Sequence, residues 1–206
     1  MARPYTVGPS RSPAEVTVDA IDALRTRRSY GRLREPGPTP EHLTTILEVA
    51  AAAPDHGELR PFRFTLLRGD GMDAFGEVLE AAYLRRCRET DTEPVPAKAE
   101  KERTKLRRAP LVIVVGAERQ ESTRITWVDQ RDAAVAAAEN VLIAAHALGY
   151  GAMWRTGHPC EDPEVKKAVG LELDDAIVGF LYIGTPIDPK PGREVDLEGL
   201  VTEYAG

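Results

Sequence analysis

One helical segment constrains the fold more than any other part of the chain. Residues 129–148 would carry apolar side chains around almost the whole circumference of a helix, instead of along a single stripe. A helix that is apolar on all sides is buried on all sides. We therefore expect this segment to lie in the protein core or in a subunit interface. Gly149 follows it and is the candidate for its C-terminal cap.

A short run of β-branched residues adds a second constraint. Residues 111–115 have the composition of a buried strand. Further strands are predicted over 62–67, 151–155 and 177–183. Other helices are predicted over 12–28, 39–54 and 72–89, before residue 108, and from Asp162. Because helices and strands do not alternate one to one, we predict an α+β fold with a sheet between helices.

Length and composition support one domain. A chain of 206 residues buries about 70% of its extended surface when it folds. We expect a loose arm over 1–12 and a single domain over 13–206. The segment 184–193 is rich in proline and leads into a C-terminal tail.

Charge and missing motifs exclude several classes of function. The net charge of −6 argues against a nucleic-acid binder, and no apolar run approaches the ~18 residues that span a membrane. No signal peptide is evident, and two distant cysteines indicate a cytoplasmic protein without a disulfide framework. There is no P-loop, no complete dinucleotide fingerprint and no hydrolase elbow. The four histidines lack metal-ligand spacing, so we expect no metal.

Positive charge is concentrated near the N-terminus. Five arginines lie within ten residues: Arg25, Arg27, Arg28, Arg32 and Arg34. Guanidinium groups bind phosphate with two parallel hydrogen bonds. Such a cluster is equally typical of a solvated helix end, where cations complement the helix dipole. The residues alone leave both interpretations open.

Three other segments also have two interpretations. Residues 53–56 end an apolar helix and suit either a binding site or an ordinary capped turn. Residues 154–157 end a strand and suit either a flat polar heterocycle or a core tryptophan beside an exposed arginine. The charged run 100–108 is typical of a solvated helix face, and contact with the phosphates of a nicotinamide cofactor is the alternative.

Taken together, these segments resemble the nitroreductase family, and especially its small "minimal" members. The resemblance covers 19–186 and is carried by 22–32, by 53–56 with 60–62, by 151–157 and by 178–186. It implies an α+β homodimer with a mixed or antiparallel central sheet flanked by helices. It also implies FMN at the subunit interface and NADH or NADPH as electron donor. The expected acceptors are nitroaromatics, quinones or similar small molecules, reduced by ping-pong hydride transfer through flavin N5.

The resemblance also implies which residues bind the cofactor. Arg27, Arg28 and Ser29 are expected to hold the FMN phosphate and the pyrimidine edge of the flavin. Residues 144–149 are expected near the nicotinamide. No catalytic side chain is expected, because the flavin carries the chemistry.

The flavin ring is expected between two subunits. Trp154, Arg155 and Thr156 would line it from one subunit, and Ala52 and His56 would approach it from the partner.

Departures from the family pattern leave other functions open. Arg60 and Phe62 stand where the family often has Gln and Trp. The alternatives are a dehalogenase or flavin-consuming enzyme on the same scaffold, or a flavin-binding module without catalysis.

Overall fold

The computed structural model describes residues 19–121, 124–188 and 190–205. The predicted arm over 1–12 and the predicted helix start at Ser12 lie outside the described residues. The helices are α1 (Ala20–Thr26), α2 (Pro40–Ala51), α3 (Asp70–Glu89), α4 (Pro96–Thr104), α5 (Trp127–Ala147) and α6 (Pro163–Ala168). The strands are β1 (Leu33–Arg34), β2 (Phe62–Leu67), β3 (Leu111–Ala117), β4 (Gly151–Arg155) and β5 (Ala176–Pro186). Short 3-10 turns lie at His56–Glu58, Lys105–Arg108 and His158–Cys160.

The strands form one antiparallel sheet in which β5 is central. β5 pairs with β3, which pairs in turn with β2. Leu181 of β5 lies opposite both Ile113 of β3 and Trp154 of β4, so β3 and β4 flank β5 on opposite sides. β1 pairs with the C-terminal end of β5. The predicted α+β fold with an antiparallel sheet is confirmed.

Two hydrophobic cores lie on the two faces of this sheet. The first core joins the sheet to α2 and α5, and the second joins it to α3 and α6. The small residues Ala134, Ala137, Ala138 and Ala145 of α5 are completely buried in the first core. The prediction that this helix lies in the core is therefore confirmed. Its small side chains let α2 and the sheet approach its backbone closely.

Several predicted ends were wrong. α1 begins at Ala20, because the Asp19 carboxylate accepts hydrogen bonds from the first helical amides, and it ends at Thr26 instead of Arg28. β5 continues to Pro186, so the proline-rich exit begins later than residue 184. The two-residue strand β1 was not predicted. By contrast, β2 and β4 have the predicted limits.

Candidate functional site

The arginine segment is attached to the edge of the sheet. After α1 the backbone becomes extended at Arg27, with ψ of 135°. Two residues further on, Ser29 forms an isolated parallel bridge with Ala152 of β4, and the Tyr30 amide donates to the Ala152 carbonyl at 2.9 Å. β4 pairs with β5 along its other edge. The first half of the candidate site thus lies against the outer edge of β4.

The arginines at this edge are partly unsatisfied. Arg28 donates to the carbonyls of Arg27 at 2.6 Å, Arg25 at 3.3 Å and Pro191 at 3.1 Å, but its buried Nη2 has no hydrogen-bond partner among the described residues. The Arg27 Nε is also buried and lies 3.2 Å from a carboxylate oxygen of Glu139, yet within the described part of the chain it forms no hydrogen bond with suitable geometry. Buried N–H groups without partners are costly, and an anion placed here would satisfy them.

Two residues not singled out from the sequence complete this end of the site. Lys190 donates to the Ser29 carbonyl at 2.6 Å, and its ammonium lies 5.6 Å from the Tyr30 ring centre. His146 of α5 lies 2.9 Å from the Thr26 hydroxyl. Because that hydroxyl donates its proton to the Asp22 carbonyl, the His146 Nε2 must be the donor to Thr26. Burial lowers the pKa of His146, and the charges of Arg27 and Arg28 lower it further.

The second half of the site lies at the other end of β4. Trp154 packs on the first core and donates its indole N–H to the Val178 carbonyl at 3.2 Å. Arg155 and Thr156 are exposed. All three line a cavity of about 430 Å³. Trp154, the first lining residue on β4, is two residues from Ala152, which corresponds to roughly 7 Å in a strand.

The rest of the cavity is lined by cations and aromatic rings. The further lining residues are Lys101, Glu102, Lys105, Arg108, Pro159, Phe180 and Tyr182. The Arg155 guanidinium lies 6.0 Å from the Tyr182 ring centre. Burial raises the pKa of Tyr182 to about 12, so its phenol stays protonated at neutral pH. The cavity is therefore cationic, with a neutral aromatic floor.

The structure does not bring Ala52 and His56 to this cluster. α2 ends at Ala51 and His56 begins a separate 3-10 turn, so the two residues do not share a helical face. Both are exposed. His56 lies near Asp129, whereas Arg27 pairs with Glu139, ten residues further along α5. Ten helical residues span about 15 Å. Within one chain, His56 therefore lies far from Arg27, whereas Ala52 lies one helical turn beyond Val49, whose carbonyl accepts a hydrogen bond from Asn140 beside Glu139.

Sequence reasoning missed Lys190 and Tyr182, and it included His146 only within the segment 144–149 that is expected near the nicotinamide. Lys190 belongs to a proline-rich segment whose pattern contains no signal for a return to Ser29. His146 lies on a helix that is apolar on most sides. The cationic run was identified, but the helical phase that turns Lys101, Lys105 and Arg108 towards Trp154 was not.

Comparisons with known proteins place the chain in a family. The model of the Nitroreductase family matches residues 24–185. The chain belongs to this nitroreductase family. It is 38% identical over 169 residues to YdjA of Escherichia coli K12, provisionally named an NAD(P)H nitroreductase, with 82% of this chain and 89% of the relative covered. The resemblance noted from the motifs is thereby confirmed.

Solved structures share the nitroreductase fold. A nitroreductase-like family protein from Bacillus cereus superposes with a TM-score of 0.75 at 20% identity, covering 94% of this chain and 100% of the other. A nitroreductase with bound FMN from Bacteroides fragilis superposes with a TM-score of 0.69 at 21% identity, covering 91% and 100%. At these identities the likeness establishes the fold alone.

Two kinds of feature are absent from the described residues. They contain no cluster of three or more His, Cys, Asp or Glu arranged to hold a metal ion. No helix among them is both long and apolar enough to cross a membrane. The two thiols are free and buried, and burial raises the pKa of Cys160 to about 11.

Proposed function

We propose that this nitroreductase-family chain is an FMN-dependent oxidoreductase that takes electrons from NADH or NADPH and reduces nitroaromatic, quinone or similar acceptors. The observation that carries the proposal is the buried Nη2 of Arg28, which has no partner within the part of the chain that is described. It lies at the edge of β4, the strand that ends in the cavity-lining residues Trp154 and Arg155. FMN, the cofactor that the family resemblance implies, has a phosphate that suits the arginine segment at this edge of β4.

The arginine end fits a phosphate. Arg28 offers an N–H that has no partner among the described residues, and Arg27 adds a cation whose Nε is ion-paired with Glu139 without a hydrogen bond of suitable geometry. The Ser29 side chain is exposed beside them, and Lys190 adds a positive charge. A phosphate dianion here would receive charge-assisted hydrogen bonds, which are about twice as strong as neutral ones. We assign Arg27, Arg28 and Ser29 to the phosphate, as the family resemblance implies.

The other end of β4 fits the flavin ring. Trp154 packs its ring on the first core, Arg155 turns to the other face of the sheet beside Tyr182, and the Thr156 hydroxyl follows at the strand end. A fixed guanidinium near the pyrimidine edge stabilises the negative charge that develops there on reduction. Loss of a preorganised charge donor of this type typically costs about 3–4 kcal/mol. When bound, FMN supplies the redox chemistry by accepting and then delivering a hydride.

A second subunit completes the proposed site. Ala52 and His56 are exposed, and His56 lies beside Asp129, about 15 Å along α5 from the Glu139 that pairs with Arg27. Large apolar side chains are also exposed on α1 and α2: the exposed fraction is 39% for Val49 of α2 and 51% for Leu24 of α1. Exposed apolar surface of this kind is typical of subunit contacts. We propose that the partner's copies of Ala52 and His56 cover the flavin.

A flavin titration tests this function. The purified protein should be yellow, and NADH or NADPH should bleach its flavin absorbance under anaerobic conditions. Adding a quinone or a nitroaromatic should restore the absorbance, with two electrons passing from donor to acceptor. A colourless protein that takes up no added FMN would refute the proposal.

Other outcomes of the titration correspond to the alternative functions. FMN that binds but is reduced by neither nucleotide would indicate a non-catalytic module. A bleached flavin that ignores both acceptor types would indicate different chemistry on the same scaffold. The cytoplasmic location and the domain limits 13–206 remain predictions from the sequence.

A further inference from the structure

The segment 55–60, here called the His56 loop, has a left-handed backbone at three positions. The φ angles are 74° at Gly57, 54° at Glu58 and 48° at Arg60. Glycine adopts this region readily, but residues with a Cβ, such as Glu58 and Arg60, rarely do. Backbone strain of this kind persists only where the surrounding structure holds it, and it is concentrated at functional sites. The conformation of the His56 loop therefore depends on contacts that outweigh the preferences of its own residues.

Asp55 provides the contact that closes the loop. Its Oδ2 accepts a hydrogen bond from the main-chain amide of Arg60 at 2.5 Å. This bond joins the two ends of the loop at a residue with left-handed φ. The Arg60 carbonyl is held as well, because the Arg63 side chain donates to it at 2.8 Å. The strained residue Arg60 is thus fixed through both of its main-chain polar groups.

The middle of the loop lies directly on the residue that precedes the Thr126 cap of α5. A Cβ added at Gly57 would lie 2.6 Å from the Cδ1 of Ile125. Only a glycine lets the loop backbone approach Ile125 this closely. Together with the two contacts at Arg60, this packing fixes the loop backbone at its middle and at its end.

The side chains of the loop are not held in the same way. His56, Glu58 and Arg60 are exposed, and among the described residues none of these side chains forms a hydrogen bond or an ion pair. Asp129 lies near His56, but its Oδ2 accepts hydrogen bonds from the Thr126 amide at 3.1 Å and from the Thr126 hydroxyl at 2.7 Å. A fixed loop backbone with unpaired side chains suits contact with a group outside its own chain.

We propose that Asp55 is a positioning residue for the flavin site, because closing the loop holds His56 in the orientation in which it covers the flavin of the partner subunit. The inference rests on the proposed function and adds to it the residue that orients His56. Asp55 acts through the backbone of the loop, without contact to FMN. His56 directly follows Asp55 in the chain, so the direction of its side chain is set by how the loop is closed.

A double-mutant cycle in FMN affinity tests this assignment. His56→Ala and Asp55→Ala should each weaken FMN binding to the apoprotein by about two- to tenfold, the range for one ordinary hydrogen bond. The two effects should not add, so in the His56→Ala background Asp55→Ala should change the affinity by less than about twofold. Isothermal titration of the four proteins measures this. A full further loss in the double variant would overturn the proposal, because Asp55 would then act independently of His56.

A conservative variant and two further readouts separate positioning from support of the fold. Asp55→Asn keeps an oxygen that accepts from the Arg60 amide, and it should restore wild-type FMN affinity and the wild-type absorbance spectrum of the bound flavin. Asp55→Ala and His56→Ala should shift that spectrum in the same direction. In urea, Asp55→Ala should lower the stability of the apoprotein equally with and without His56. An Asp55→Asn variant as defective as Asp55→Ala would overturn the role of this hydrogen bond.

Glu58→Asn is the matched control within the loop. Asparagine tolerates left-handed φ better than most residues, so this change removes a charge and leaves the loop closed. FMN affinity should stay within about twofold of wild type. A protein that binds FMN but is unaffected by His56→Ala refutes this inference and leaves the FMN-dependent function standing. A protein that takes up no FMN refutes the proposed function itself, and this inference with it.

Discussion

The main-chain amide of Tyr30 donates a hydrogen bond to the carbonyl oxygen of Ala152 at 2.9 Å. This bond fixes the arginine segment to β4, the strand that ends at Arg155. Both ends of the proposed flavin site are therefore connected through backbone. Substitutions of exposed or half-buried side chains at the site should change ligand affinity without undoing the fold.

Arg28→Ala should weaken FMN binding by about ten- to a hundredfold, because a hydrogen bond to a charged group contributes about 1.5–3 kcal/mol. Isothermal titration of the apoprotein with FMN measures this. Arg28→Lys should have an intermediate effect, since lysine keeps the charge but loses the planar fork.

Arg103→Ala is the matched control for Arg28→Ala. Arg103 is exposed and its ion pair with Glu100 lies within one helix, so its loss should leave FMN affinity unchanged. Equal dissociation constants for Arg28→Ala and Arg103→Ala would refute the phosphate assignment. Thermal unfolding of both apoproteins checks that the Arg28 contacts are not needed for folding.

The apoprotein should lose stability as the pH falls towards 5, in part through His146. Burial, with Arg27 and Arg28 as further causes, lowers the pKa of His146 in the folded state. The unfolded state, with an ordinary histidine pKa of about 6.5, then binds the proton more readily. Stability is present above this value and declines as the pH falls through the lower folded pKa.

His146→Gln keeps a hydrogen-bond donor for the Thr26 hydroxyl and removes the imidazole that binds a proton at low pH. Urea unfolding of this variant at pH 7.5 and 5.5 should show a smaller difference in the free energy of unfolding than wild type. Saturating FMN should also reduce the difference in wild type, because a bound phosphate offsets the two arginine charges. An unchanged pH dependence in His146→Gln would contradict the role of His146.

The local elements could be predicted from the sequence because their causes are local. Apolar and polar side chains alternate at the start of Phe62–Leu67, and a glycine-containing turn follows the strand. The start of α2 is set by its own neighbouring residues, Thr39 and Pro40. β1 was missed because two residues carry no periodicity, and its pairing with Pro186 is long-range.

The candidate site was predictable only in part, and for the same physical reason. The arginines and Trp154 stand in recognisable motifs. They share β4 because the arginine segment binds the edge of β4 that does not pair with β5. Lys190 reaches Ser29 from 161 residues away, and no spacing rule connects them. The separation of His56 from Arg27 depends on how α2 packs along α5, which the sequence pattern does not specify.

Asp162→Ala should destabilise the protein by about 3–5 kcal/mol, the usual effect of removing one partner of a buried ion pair. Its carboxylate is only 4% exposed, receives two hydrogen bonds from Arg85 at 2.6 and 3.2 Å, and caps α6. Burial alone would raise the pKa of Asp162, but the hydrogen bonds from Arg85 and from the α6 amides lower it overall. Urea unfolding measures the loss.

Asp73→Ala provides the comparison for Asp162→Ala. Asp73 also receives two hydrogen bonds from one arginine, Arg107, but both side chains are exposed. Exposed pairs contribute about 0–1 kcal/mol, so the free energy of unfolding should change little. Equal losses for the two variants would show that burial does not set the strength of the Asp162 pair.

Gly179→Ala should disturb the flavin site through Trp154. A Cβ at Gly179 would collide with the Trp154 Nε1 and lie 3.1 Å from the Arg155 carbonyl oxygen. The indole must then move and lose its hydrogen bond to Val178. Overpacking of this type costs about 1–3 kcal/mol. We expect altered tryptophan fluorescence, lower stability in urea and weaker FMN binding.

Gly71→Ala is the control. An added Cβ at Gly71 in α3 meets no atom within 4 Å, so this variant should change none of the site properties and should be neutral or slightly stabilising. Wild-type fluorescence and FMN affinity in Gly179→Ala would show that the position of Trp154 does not depend on this glycine.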